Sequence, residues 1–392
     1  MFLGSEKDGA EMGKKSGEQC CHVMYLLNAL AVGGSERKSV RLANALTERG
    51  WKQTIAYLNE PHALRDEISP EIDVLFLGRR GKFGIGALQR LRAYISRNNI
   101  DVICCINLYP LIYAYLARCI LAAHRPKVLA TTNTTDFLTP KNERQMMLYS
   151  PVLRRIDKII FGSIYQQELW ISRYELDPSS CTYIHNGVNV DLFRQSALGP
   201  SSKKVRSEIG ISESSVIVGS IGRFSKEKQY DMVIRACVRL RKENRLDVHC
   251  LLVGGGNEES LLRKLVSDLH CAEYVHLIGM TDDVRPYLDA MDVFVLSSVS
   301  ETFSNAALEA MSMSLPVVLP RVGGCPEMVK SGETGFIYEP GNMSQFIDYL
   351  SLLCGDGERR SEMGRAARKH IDNSFRFEAM VDAYANLFET VA

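Results

Sequence analysis

Two apolar runs, Val293-Phe294-Val295-Leu296 and Leu315-Pro316-Val317-Val318-Leu319, are separated by room for one helix and a short loop. Apolar runs of this length read as strands buried on both faces. A strand, a single helix and a second strand rejoin most simply as parallel neighbours in one sheet, through a right-handed crossover. The intervening stretch is Ser300-Glu301-Thr302-Phe303-Ser304-Asn305-Ala306-Ala307-Leu308-Glu309-Ala310-Met311. Ser304 or Asn305 suits the helix cap. Ala306, Ala307, Leu308, Ala310, Met311 and Met313 leave the helix almost no polar face, so it is expected to be buried. Glu309 is then out of place, because a buried carboxylate needs a partner. Glu301 falls in the loop at the carboxyl end of the strand, where open α/β sheets bind ligands. The helix N-terminus beside it offers free N–H groups to an anion.

The rest of the chain repeats this pattern. Strands are expected at Cys21–Leu27, Gln53–Leu58, Val74–Leu77, Val102–Ile106, Val128–Thr132, Lys158–Phe161, Val216–Ile221 and Val248–Val253, with helical segments between several of them. With 392 residues, two domains of ordinary size are expected. A 46% apolar and 24% charged composition is that of a globular chain, and a net charge of +1 argues against a nucleic-acid partner. The 11 cysteines are scattered without a Cys-x-x-Cys pair, and several fall in apolar runs. That usage fits free thiols in a reducing cytoplasm. No run of about 18 apolar residues marks a transmembrane helix. Residues 1–19 are polar and Gly-rich and are expected to be a disordered tail.

Two stretches carry the most chemistry outside the Glu-x7-Glu segment. Val216-Ile217-Val218-Gly219-Ser220-Ile221-Gly222-Arg223 runs a buried strand into a glycine and a cation, with Lys228 five residues on. Two cations at a strand's carboxyl end, next to a helix start, form a clamp for a diphosphate. The first strand opens into Gly33-Gly34-Ser35-Glu36-Arg37 and then an amphipathic helix ending near Gly50. Glycines there either let backbone approach a phosphate or sugar, or simply make a tight turn.

Taken together, Gly222-Arg223-x4-Lys228, the Glu301-x7-Glu309 pair, Val322-Gly323-Gly324-Cys325-Pro326-Glu327 and Gly332-Glu333-Thr334-Gly335-Phe336 resemble the retaining GT-B glycosyltransferases of the glycosyl transferases group 1 family, family 4. The resemblance covers roughly residues 20–392 and is strongest over 216–340. It implies two Rossmann-like domains facing across a cleft. Residues 20–195 would form an N-terminal acceptor-binding domain and 196–372 a nucleotide-sugar-binding domain, with 373–392 a helix crossing back to the first. Residues 194–214, rich in Ser, Lys and Gly, read as the linker.

The activity implied is transfer of a hexosyl group from a nucleotide-diphosphate sugar, UDP-sugar ahead of GDP-sugar, to a glycan or lipid-linked acceptor with retention of configuration. The setting implied is surface polysaccharide or glycolipid synthesis on the inner face of a cell membrane. Arg223 and Lys228 would hold the diphosphate, Glu301 would lie by the donor sugar, and Glu309 would hold the ribose. Gly33, Gly34, Gly222 and the backbone N–H groups of Phe303, Ser304 and Asn305 would complete the donor site, with Gly279 and Met280 at the base. No metal and no other cofactor is implied. On the acceptor side, Asn133 stands where many members have histidine, with Asp136 close by; asparagine still hydrogen-bonds a hydroxyl but carries no charge. His185 stands where the family usually has proline and reads as structural.

Residues 79–97 contain Arg79, Arg80, Lys82, Arg90, Arg92 and Arg97 without an acid, interleaved with apolar residues. Such a segment suits an anionic membrane surface, or is an ordinary helix with a solvated basic face. A nucleotide-sugar epimerase of the same fold, a non-catalytic nucleotide-sugar-binding subunit and a membrane-docking scaffold stay open at this point. Donor turnover without acceptor, donor binding and vesicle flotation separate them.

Overall fold

A computed structural model of the chain describes residues 21–81, 84–121, 124–135, 140–194 and 201–392. The expected tail at 1–19 and the candidate Asp136 lie outside these residues. The strands β1 (His22–Ala29), β2 (Lys52–Asn59), β3 (Asp73–Phe76), β4 (Val102–Ile106), β5 (Lys127–Thr132), β6 (Lys158–Phe161) and β7 (Cys181–Tyr183) form one sheet. Its order is β3-β2-β1-β4-β5-β6-β7 and every pairing is parallel. The helices α1 (Gly34–Glu48), α2 (Ile85–Asn98), α3 (Leu108–Cys119), α4 (Pro140–Leu153) and α5 (Ile164–Tyr174) connect them. The Val-Ile-Cys-Cys-Ile run of β4 is buried throughout, as both faces of a doubly wound sheet require. The described cysteines are free thiols.

The second sheet contains β8 (Val216–Ile221), β9 (Val248–Val253), β10 (Val275–Ile278), β11 (Val293–Val295), β12 (Val317–Pro320) and β13 (Gly335–Tyr338), in the order β10-β9-β8-β11-β12-β13. Its pairings are also parallel. The connecting helices used below are α6 (Ser201–Glu208), α7 (Tyr230–Lys242), α8 (Glu259–Asp268), α9 (Arg285–Ala290) and α10 (Asn305–Ser312). They are followed by α11 (Cys325–Met328), α12 (Met343–Gly355), α13 (Gly357–Ser374) and α14 (Phe377–Val391). In both sheets the strand order reverses at a switch point, β1/β4 and β8/β11, and crevices at such points are where this architecture holds ligands.

Part of the expected linker is helical. Residues 201–208 form α6, and its Val205 is buried, so a Ser- and Lys-rich surface turned one apolar residue inward. The chain crosses between the sheets twice. Val188, Val190 and Phe193 pack into the core of the second sheet, before the 195–196 division expected from sequence. In return α14 buries Met380, Val381, Tyr384 and Phe388 against Tyr25 and Leu27 of β1. The two crossings touch: Val188 N–H donates to Phe375 O at 2.9 Å, and Phe377 N–H donates to Val188 O at 2.9 Å.

Candidate active site

Helix α10 begins where its sequence said it would. Ser304 is the N-cap, its hydroxyl accepting the Ala307 N–H at 3.3 Å. The loop before it buries Glu301, whose side chain is 9% exposed. Glu301 Oε1 accepts from Lys228 Nζ at 2.5 Å and from Ser298 Oγ at 2.6 Å. Two candidates far apart in sequence are therefore one charge pair. The loop carrying Lys228 is tied to the Glu301 loop through backbone as well. Ser297 Oγ donates to Lys228 O at 2.6 Å, and Val299 N–H to Glu227 O at 2.9 Å. Arg223 stands exposed at the end of β8 and makes no ion pair among the described residues.

The Gly-Gly-x-x-Glu turn supports this loop from below. Gly323 has φ +49°, and a Cβ there would sit 1.6 Å from Glu301 O. Only glycine lets the turn lie against that carbonyl. From the first sheet, Thr135 Oγ1 donates to Glu301 O at 3.0 Å, so both halves of the molecule hold the Glu301 loop.

A cavity of about 700 Å³ lies between the halves, lined by Gly33, Gly34, Gly222, Asn305 and Glu309 and faced by Arg37, Lys38 and Arg41 of α1. Gly34 and Asn305 close on each other across it: a Cβ on Gly34 would lie 3.5 Å from Asn305 Nδ2. Burial lifts the Glu309 carboxyl to about 7, with Arg41 and then Arg37 pulling it the other way. The expected buried carboxylate thus opens onto the cleft and faces cations of the other half. Burial also lowers Lys38 to about 8; its ammonium donates to Asn186 Oδ1 at 3.1 Å.

The remaining candidates are placed as follows. Phe303 and Ser304 are buried in the loop itself. Gly279 and Met280 lie at the exit of β10, exposed, with the Met280 side chain turned to solvent. Their neighbours Thr281 and Asp282 line the cavity instead. Asn133 Nδ2 donates to Asn107 Oδ1 at 3.1 Å, at the carboxyl ends of β4 and β5. His249 and His276 stack on each other, with Nδ1 and Nε2 3.1 Å apart, and His22 bonds Thr54 and Asn98. Among the described residues no group of three His, Cys, Asp or Glu is arranged to hold a metal ion.

Two arrangements had no clear signal in the sequence. Asn186 Nδ2 donates to Phe303 O at 2.9 Å while its carbonyl takes Lys38, linking α1 to the loop before α10. Glu327 accepts the N–H groups of Ile164 at 2.9 Å and Tyr165 at 2.8 Å, capping α5 across the domain junction. His185 Nε2 completes it at 2.7 Å while its ring stacks on Phe303. Burial alone pushes Glu327 up, but His185 and the Tyr165 and Ile164 N–H groups outweigh it and hold the carboxyl below its ordinary range.

The family model "Glycosyltransferase Family 4" matches residues 32–192, and "Glycosyl transferases group 1" matches 201–370. The N-acetyl-alpha-D-glucosaminyl L-malate synthase of Bacillus anthracis is 26% identical over 371 residues, 92% of this chain and 95% of that relative. A D-inositol 3-phosphate glycosyltransferase of Streptomyces scabiei is 27% identical over 278 residues, 68% of this chain and 61% of that relative. Among solved structures, Anabaena Alr3699/HepE in complex with UDP-glucose superposes with a TM-score of 0.82 at 19% identity, covering 94% of this chain and 99% of that one. The sucrose-phosphate synthase of Thermosynechococcus elongatus gives 0.81 at 19%, covering 95% and 99%. At that identity the two structures establish the shared fold.

Proposed function

This chain belongs to the GT-B glycosyltransferases of the glycosyl transferases group 1 family, and from that premise we propose that it moves a hexosyl group from a UDP-sugar to an acceptor hydroxyl with retention of configuration. The observation that carries the reading is the pairing of Lys228 with Glu301 beside the N-terminus of α10, with Glu309 opening on the interdomain cavity. The Anabaena structure of the same fold holds UDP-glucose, which supports a uridine donor here.

In this reading the donor C1–O bond breaks and its electrons leave with the diphosphate. Arg223, Lys228 and the free N–H groups at the start of α10 neutralise the growing charge. One fixed donor of this sort is worth ~2.7–4 kcal/mol, or ~10²–10³ in rate. Lys228 must exchange part of its contact with Glu301 for the phosphate, which ties the cation's position to the donor's arrival. Glu301 stays beside the sugar and stabilises the positive charge that develops on it. The acceptor oxygen attacks C1 from the face the diphosphate leaves, and its proton passes to the leaving phosphate oxygen. Glu309 accepts from the ribose hydroxyls. The protein's own cations do the work of a metal, so the reaction proceeds without one. The acceptor is a glycan or lipid-linked hydroxyl presented by the first half, near Asn133, in surface polysaccharide or glycolipid synthesis at the cytoplasmic face of a membrane.

The test is UDP release from a panel of UDP-hexoses with hydroxyl acceptors in excess chelator, followed by NMR of the product's anomeric proton. Acceptor-dependent release with a retained anomer is expected. An inverted product, or activity abolished by chelator and restored by magnesium, contradicts this reading. Conversion of the donor to another sugar nucleotide without acceptor makes the protein an epimerase.

A further inference from the structure

We propose that the carboxyl-terminal rim of the first sheet holds a phosphate-binding subsite centred on Arg79, and that the acceptor presents a phosphate group to it. The inference rests on the glycosyltransferase reading above for the word acceptor. The subsite itself rests on the geometry alone.

Arg79 follows β3 in a loop. Its Nε donates to Asn59 Oδ1 at 3.1 Å, and its Nη1 donates to Tyr109 Oη at 2.7 Å and Gly81 O at 3.3 Å. Asn59 Nδ2 in turn donates to Asn28 Oδ1 at 2.9 Å, and Tyr109 Oη lies 3.3 Å from Tyr113 Oη. A single chain of side chains thus crosses the carboxyl ends of β1 and β2 and reaches the start of α3. Every partner of the guanidinium in it is neutral. Among the described residues no carboxylate comes within ion-pair distance of Arg79, and its Nη2 amino group makes no hydrogen bond.

A second guanidinium shares the space. Arg90 of α2 uses Nε and Nη2 on the carbonyl oxygens of Leu77 and Gly78, leaving Nη1 without a hydrogen bond among the described residues. Arg79, Arg80 and Arg90 line one cavity of about 810 Å³ with Asn59. Among the described residues its one carboxylate is Glu60, whose side chain is 79% exposed and lies 4.0 Å from the His62 ring nitrogen Nε2. Arg79 is half-buried and Arg90 exposed, and a half-buried guanidinium is ordinarily matched by carboxylate or phosphate. Here Arg79, and Arg90 at the cavity's exposed edge, are held by neutral acceptors with amino groups left over, so the charge they await comes from outside the protein. Two forks around one cavity suit a phosphate, with a charge near −2 and three acceptor oxygens, better than a carboxylate that fills one fork. Arg92 and Arg97, also exposed on α2, do not line this cavity. The rim also carries Asn107 and Asn133, at the end of the strands where this architecture binds ligands.

The phosphate belongs either to a soluble ester or to a lipid headgroup. The experiment uses the full chain, saturated with UDP to occupy any phosphate site of the donor. Inorganic phosphate and glycerol 3-phosphate are titrated by calorimetry. Flotation uses vesicles of two parts phosphatidylcholine to one part phosphatidic acid. Arg79→Gln is expected to weaken phosphate binding by at least about tenfold and Tyr109→Phe by a few-fold, with UDP affinity unchanged in both. Arg79-dependent binding of glycerol 3-phosphate assigns a soluble source; Arg79-dependent flotation assigns a lipid. Binding that is equal in wild type and Arg79→Gln, or absent in both assays, overturns the subsite. A wild type that does not bind UDP overturns the donor reading instead, and the same titrations without UDP still decide the subsite.

Discussion

Glu309 is the residue whose chemistry depends most on where the fold puts it. Its carboxyl titrates near 7 instead of 4.5, because burial disfavours its charge more than Arg41 and Arg37 favour it. A carboxyl raised in the folded state binds its proton more tightly folded than unfolded. Its stabilising contribution is therefore complete below 4.5 and lost as pH rises through about 7. Glu309→Gln is expected to remove that dependence and to be more stable than wild type at pH 8 by ~1–2 kcal/mol, after discounting for the water that reaches the cleft. Denaturation curves at pH 5 and pH 8 decide it; parallel curves for both proteins would refute the buried titration. If the ionised form holds the ribose, wild-type UDP affinity should rise about tenfold between pH 6 and pH 8, and the Gln variant should not follow. Lys228→Ala is expected to lower turnover by ~10²-fold or more while a cooperative thermal transition persists. Full activity would remove Lys228 from the diphosphate site. Both residues were legible in the sequence, since one sits in an apolar helix and the other at a strand's end. Their setting was not: the Lys228–Glu301 pair joins residues 73 apart, and Lys38 reaches Asn186 across 148.

At the scale of elements, the loops that carry the site are held by backbone approach and by capping. Gly323→Ala would place a methyl into Glu301 O in a left-handed conformation, so the turn must move. A loss of ~1–3 kcal/mol in stability is expected, with a larger fractional loss in turnover because Glu301 moves with it. A variant of unchanged activity would show that the Glu301 loop is not positioned by this turn. Glu327→Gln should weaken the cap on α5 and its pairing with His185, for ~1–3 kcal/mol. Because the Glu327 carboxyl is held below its ordinary 4.5, its contribution exists above that pH and is lost as pH falls beneath it. The gap between wild type and variant should therefore close in acid; a constant gap would mean the loss is steric. The long apolar strands, such as Val102–Ile106 and Val248–Val253, read directly from sequence because both their faces are buried. The three-residue β7 is too short for its pattern to stand out. Helix α6 was hidden by a polar composition more usual in linkers, and the Glu327 carboxylate that reinforces the local Ser163 cap of α5 from 163 residues away leaves no local trace.

At the scale of the molecule, two sheets with their carboxyl ends facing a common cleft are joined by two crossings hydrogen-bonded to each other at Val188 and Phe375–Phe377. A Cβ on Gly187 would meet Arg376 O at 2.6 Å, so the crossings pass closer than any other residue allows. The N- and C-terminal halves therefore share one junction, with α14 packed into the first core and Phe193 into the second. Occupancy of the cleft should be read by the stability of the whole chain rather than of one half. The direct measurement is the thermal transition of the purified chain with UDP, GDP and ADP, in chelator, for wild type and for an Arg223→Ala, Lys228→Ala double variant. A nucleotide bound only by the folded state at 100 times its dissociation constant stabilises by ~2.7 kcal/mol. The account predicts a clear upward shift of the wild type with UDP and none for the double variant. A wild type indifferent to all three nucleotides, or a double variant that shifts as far as wild type, would contradict the placement of the donor site between Arg223, Lys228 and helix α10.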